Sequence, residues 1–151
     1  MEKKFVIYLL CGYFLLGISQ NLWAGEQKPT NAQLRALNTL SNISEEKINI
    51  QWSNAGTPSF LTGKFVVEHA ENTTLEVALD FLNQHRKLFR LKDALQEFKV
   101  SKVEKDDINF EHVRVKQYYY EIPVYGGELI VHFNPEGKIT TVNGSYLPDI
   151  T

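Results

Sequence analysis

The 151 residues carry 16 Lys and Arg against 18 Asp and Glu, a formal charge of -2 at pH 7. That near balance excludes the basic footprint of a nucleic-acid binder or of a protein held on an anionic membrane surface. With Cys11 as its single cysteine, the chain also excludes a disulfide framework and a thiolate metal site.

The elements follow in chain order. Glu2-Lys3-Lys4 makes a basic start, Phe5 to Ile18 is apolar, and Leu22-Trp23-Ala24 puts a small residue ahead of a polar run. This three-part plan predicts a secretory signal peptide over residues 1–24, cleaved after Ala24. The apolar run is shorter than the about 20 residues of a spanning helix, so membrane contact is expected only during export. The destination expected from it is secreted or periplasmic. Residues 25–30 form a polar lead-in of the kind that stays mobile. Residues 31–147 are long enough for one domain, and residues 148–151 look like the start of a connector.

Thr30 and Gln33 have capping-box spacing, and Leu34, Leu37, Leu40 and Ile43 then mark one face of a helix. Ile48, Ile50 and Trp52 alternate with Asn49 and Gln51 in a short strand. Asn54 to Pro58 turns the chain into a second strand over Phe60 to Val67, with Gly63 a bulge. Thr73 and Glu76 repeat the capping-box spacing at the head of a helix running to about Arg90. Its apolar arc holds Leu75, Ala78, Leu79, Leu82 and Phe89, widened by Val77, Phe81 and Leu88, as a helix lying across a sheet requires. Phe98, Val100 and Val103 suggest a further strand, and Glu104 to Asn109 a charged hairpin loop.

From His112 to Tyr146 the chain reads as three strands of an antiparallel meander. Leu129, Val131 and Phe133 alternate with Glu128, Ile130, His132 and Asn134, the period of a strand with two distinct faces. Asn134-Pro135-Glu136-Gly137 supplies a reversal, and Ile139 to Val142 returns. Pro123 and Gly126-Gly127 interrupt the pattern, which predicts a corner or bulge between the first two strands. The fold class expected is α+β, an antiparallel sheet with helices on one face.

The ordered set His112, Arg114, Gln117, Pro123, Val124, Tyr125, Gly126, Gly127, Glu128, Leu129, Val131, His132, Gly137, Lys138, Val142, Asn143 and Gly144 resembles the fungalysin/thermolysin propeptide (FTP) domain that precedes secreted zinc metalloproteases. One departure is Glu121, where the family usually has Gly. The resemblance extends back through Thr57 to Lys64 and the helix near residues 73 to 90. It implies a propeptide that assists folding of the protease catalytic domain and holds it latent, in cis or in trans. Zinc is then expected in that associated domain and no cofactor in this chain. A free-standing secreted binding or protease-inhibitor domain of the same fold is the alternative.

A search for chemistry in the residues themselves finds none organised. The four histidines are His69, His85, His112 and His132, and none begins a His-Glu-x-x-His, the spacing that puts two imidazoles and a water-activating Glu on one helix face. His112, His132 and Glu128 approach a metal-like set across strands, but hydrogen bonding on a half-exposed face is the expectation, since metal sites usually gather three or four ligands. Asp106-Asp107 reads as a solvated turn. Tyr118, Tyr119, Tyr120, Tyr125 and Tyr146 are expected to pack on the sheet, with an interface the other use of such residues. No catalytic, cofactor-binding or metal residue is expected.

Overall fold

The computed structural model describes residues 27–66 and 73–150. The signal peptide expected over residues 1–24, with Ala24 as its expected cleavage residue, lies outside these, as do Val67 and His69. The elements are α1 (Asn31–Ser41), β1 (Asn49–Trp52), β2 (Pro58–Phe65), α2 (Thr74–Gln84), α3 (Arg86–Phe89), α4 (Ala94–Glu97), β3 (Phe98–Lys105), β4 (Glu111–Tyr119), β5 (Ile122–Phe133) and β6 (Ile139–Ser145). The six strands form one antiparallel sheet in the order β1-β2-β6-β5-β4-β3. This is the α+β class expected, with the β3-β4-β5-β6 meander extended by the earlier hairpin.

Alternation decides which face the helices cover. Val113 and Val115 of β4, Leu129, Val131 and Phe133 of β5, Ile139 and Val142 of β6, and Leu61 and Phe65 of β2 are all buried in one core. Leu40, Val77, Ala78, Phe81, Leu82, Leu88 and Phe89 come from the helices to meet them. Each large apolar side chain so buried contributes roughly 1.5–3 kcal/mol before the entropy of ordering is charged against it. The ring of Phe81 stands 5.3 Å from that of Phe65, joining α2 to β2.

Both expected capping boxes form, Thr30 with Gln33 and Thr73 with Glu76. The apolar stripe expected of α1 is only half used. Leu40 is buried, but Leu34 and Ile43 are exposed, because the helix turns Gln33 inward instead. The Gln33 amide donates to the carbonyls of Gly56 at 2.7 Å and Leu88 at 3.0 Å, tying α1 to the turn before β2 and to α3.

The single helix expected to about Arg90 is broken at His85, whose φ of -99° and ψ of 20° leave the helical region. The His85 carbonyl accepts from Leu88 N and starts α3. Arg90 then takes the left-handed conformation, and its guanidinium bonds the carbonyl of Ala55, the side chain of Gln27 and the carboxylate of Asp149. Gln27 and Asp149, from opposite ends of the described chain, thus meet on one side chain.

The interruption at Pro123 to Gly127 lies inside β5 and not between strands. Lys116 pairs with Glu128 while Tyr118 pairs with Pro123, so four residues of β5 bulge opposite Gln117 alone. The reversal from β4 to β5 is made upstream, at Tyr120 and Glu121, both with positive φ (43° and 67°). Gly63 does fall at a register shift between β2 and β6, as expected.

Candidate functional site

The helices leave the second face of the sheet uncovered, and there the strand register brings distant polar residues into rows. Lys102, Arg114, Ile130, Asn143 and Phe60 lie side by side across β3, β4, β5, β6 and β2. Glu104, His112, His132, Thr141 and Thr62 form the next row. Directly opposite residues on antiparallel strands sit close enough for side-chain pairing.

His112 and His132 make such a pair, Nδ1 to Nδ1 at 2.7 Å with the rings tilted 70°. His132 Nε2 lies 2.6 Å from Asn143 Oδ1. That oxygen can only accept, so Nε2 carries the proton and His132 Nδ1 is left as the acceptor. The donor across the pair is therefore His112 Nδ1. On its far side His112 Nε2 stands 3.3 Å from Asp106 Oδ2. Burial holds the His132 imidazole below the usual histidine value, with the positive charges of His112 and Arg114 adding to the effect and Asn143 opposing it.

Asp106 is more than a solvated turn residue. Its Oδ1 accepts from the backbone N–H groups of Ile108 at 3.0 Å and Phe110 at 2.8 Å, closing the β3–β4 loop. Although partial desolvation opposes them, these bonds and His112 hold its carboxyl below the ordinary range. The spacing signal is an Asp opening a hairpin loop and a His six residues later at the head of the return strand.

Glu128 does not join the imidazoles. It pairs with Arg114, its diagonal neighbour, in a charge-assisted hydrogen bond. Among the described residues no group of three or more His, Cys, Asp or Glu side chains gathers as a metal site would. The uncovered face therefore offers donors, acceptors and the ion pairs Arg114–Glu128 and Lys102–Glu104 for contact.

The other signature residues act on the backbone. Gln117, fully buried, holds Leu147 through two hydrogen bonds. Gly127 lets β5 approach that side chain, since a Cβ there would stand 2.8 Å from Gln117 Cβ. Gly144 has φ of 143° and a Cβ would come 2.1 Å from the Glu128 carbonyl oxygen, so only glycine lets β6 approach β5. Pro123, Val124 and Gly126 shape the bulge, and Gly137 closes the β5–β6 turn by donating its N–H to the Asn134 carbonyl at 2.9 Å.

The tyrosines divide. Tyr146 is buried and donates to the Phe89 carbonyl at 2.8 Å, burial pushing its phenol well above the usual value. Tyr120 is 83% exposed and Tyr125 fully so, with Ile122 between them at 66%. Packing on the sheet, expected for all five, fails for these two, since Tyr120 sits in the β4–β5 turn and Tyr125 in the bulge of β5. Beside this hairpin end, a cleft of about 510 Å³ is lined by residues that include Lys92, Lys99, Tyr118, Tyr119, Glu121 and Ile150.

Comparison with known proteins adds to this geometry. A family described as Fungalysin/Thermolysin Propeptide Motif matches residues 96–146, the stretch from α4 through β6. Thermolysin of Alicyclobacillus acidocaldarius subsp. acidocaldarius is 31% identical over 104 residues, 68% of this chain and 18% of that protein. Thermolysin of Bacillus caldolyticus gives the same figures. Bacillolysin of Bacillus cereus is 30% identical over 97 residues, 62% of this chain and 17% of that protein. The chain thus spans less than one fifth of the length of these relatives. No solved structure matches.

Proposed function

The chain carries the fungalysin/thermolysin propeptide motif over residues 96–146, and from that premise we propose that it serves as the N-terminal propeptide module of a secreted zinc metalloprotease. In this role it helps the catalytic domain to fold and keeps it latent. It acts by contact and not by reaction: the 151 residues contain no His-Glu-x-x-His, and the zinc belongs to the protease.

The observation that carries the reading is the family match over residues 96–146, supported by 31% identity to a thermolysin over 104 residues. In the structure these residues build the β4-β5-β6 unit itself, through the Gln117 clasp, the close approaches at Gly127 and Gly144, and the polar rows of the uncovered face. A rigid sheet with one open face and an aromatic hairpin end suits a surface that a folding partner condenses against. Binding of that kind stabilises whichever state of the partner it fits, in proportion to its concentration over its Kd. The apolar leader at residues 5–18 supports export as the route.

The test is a refolding assay. A denatured thermolysin-type catalytic domain is diluted into buffer with and without the purified chain, and recovered peptidase activity is measured. The expected result is a higher yield of folded protease, active once the added chain is digested. Equal recovery with and without the chain, together with no inhibition of the folded enzyme, overturns the reading.

A further inference from the structure

The hydrogen bonds around His112 and His132 can be counted proton by proton, and the count has a limit. With both imidazoles neutral there are two protons for four ring nitrogens. One sits on His132 Nε2, facing Asn143 Oδ1 at 2.6 Å, and the other on His112 Nδ1, facing His132 Nδ1 at 2.7 Å. His112 Nε2 is then bare and faces the Asp106 carboxylate at 3.3 Å, two acceptors together. A third proton on that nitrogen turns the repulsion into an ion pair and disturbs nothing else. All three contacts, from Asp106 through both rings to Asn143, are then satisfied at once. A fourth proton has only His132 Nδ1 to occupy, where it meets the N–H of His112 head-on. Two donors cannot remain 2.7 Å apart, and two imidazolium charges would share the site.

We propose that the His112–His132 pair is a proton-operated latch on the uncovered face of the sheet, closed with one imidazole charged and opened when both are. The latch joins four parts of the fold, the β3–β4 loop through Asp106, β4 and β5 through the rings, and β6 through Asn143. The groups that face it are few. Glu104 lies opposite His112 on β3, engaged with Lys102 at 2.5 Å; Arg114 follows on β4 but is taken by Glu128 of β5; β6 offers Asn143 and the hydroxyl of Thr141. None is placed to neutralise a second positive charge between the rings. Burial of His132 works in the same direction, since it disfavours the charged ring. Acid therefore separates β4 from β5 on this face, and the domain loosens where a partner would touch it. The latch depends on these contacts alone, whatever the partner.

The experiment is nitrogen-detected NMR of the imidazoles in the purified chain through a pH titration, with denaturant unfolding of the parent and of His132→Gln. Protons are expected on His132 Nε2 and His112 Nδ1 near neutrality. The pair should take up its last two protons in two separate steps and not in one. Between about pH 7 and about pH 5, the unfolding equilibrium constant of the parent should rise about tenfold more than that of His132→Gln. Simultaneous protonation of both rings, or a proton on His132 Nδ1 near neutrality, overturns the latch, as does an equal pH response in the two proteins. If His132→Gln does not fold, the titration of the unaltered chain decides alone.

Discussion

Gln117 grips both backbone groups of Leu147. Its Nε2 donates to the Leu147 carbonyl at 2.8 Å and its Oε1 accepts from the Leu147 N–H at 3.0 Å. A side chain near the end of β4 thereby does for the segment after β6 what a neighbouring strand would do. The clasp also brings Tyr146, one residue earlier, against Phe89 and Phe98.

Replacing Gln117 by Leu keeps the volume and removes both bonds. Leu147 as a whole is about half exposed and its freed backbone groups can turn to water, so the loss is moderate, about 1–2 kcal/mol. Urea unfolding of Gln117→Leu against the parent measures it. The same variant should release the segment from Leu147 onward, seen as faster amide exchange there.

Glu121→Gly should stabilise the fold. Tyr120 and Glu121 both hold positive φ in the turn between β4 and β5, which costs an L residue roughly 1–2 kcal/mol and glycine nothing. Against this stand the greater freedom of glycine in the unfolded chain and the exposed ion pair of Glu121 with Lys99, which is worth little. A net gain of about 0.5 kcal/mol is expected, raising the melting temperature by about 2 °C.

Gly144→Ala should be severe. The added Cβ would lie 2.1 Å from the Glu128 carbonyl oxygen and 2.9 Å from Leu129 Cα, backbone that cannot step aside without parting β5 from β6. A loss of about 3 kcal/mol or more is expected, and the amides of both strands should exchange faster.

Stability should fall as the solution is acidified through the histidine range. His85 is packed against Phe81 at 4.6 Å between ring centres, and desolvation holds its pKa below the usual value. A group depressed in the folded state contributes stability above its unfolded pKa, near 6.5, and that contribution is lost as pH falls toward the folded value. His85→Gln should flatten part of the slope between about pH 7 and about pH 5 in urea unfolding.

Much of this architecture was legible in the residues. The alternation of Leu129, Val131 and Phe133 gave the core face of β5, and the pairs Thr30 with Gln33 and Thr73 with Glu76 marked two helix starts that both form. Where reading failed, a local pattern had a tertiary use. Gln33 looks spent on its capping box, yet its amide reaches Gly56 and Leu88, and α1 rotates away from the stripe of Leu34 and Ile43 to allow it. Glycine and proline at positions 123 to 127 signalled an irregularity correctly. The turn itself fell on Tyr120 and Glu121, residues whose chemistry does not announce positive φ. The contact between Asp106 and His112 was signalled only by an Asp at the loop's opening and a His six residues on, and how that loop folds back onto the strand decided it.

The claim on which the functional account rests is that this domain presses a folded surface onto a thermolysin-type protease. Calorimetric titration of the purified chain into such a catalytic domain measures that directly. The account predicts a saturable one-to-one complex, weakened when Tyr120 and Tyr125 are both changed to Ser, with folding stability lowered by no more than about 1.5 kcal/mol from the lost Tyr119–Tyr120 contact. No heat of binding, and no joint elution of the two proteins, would contradict it.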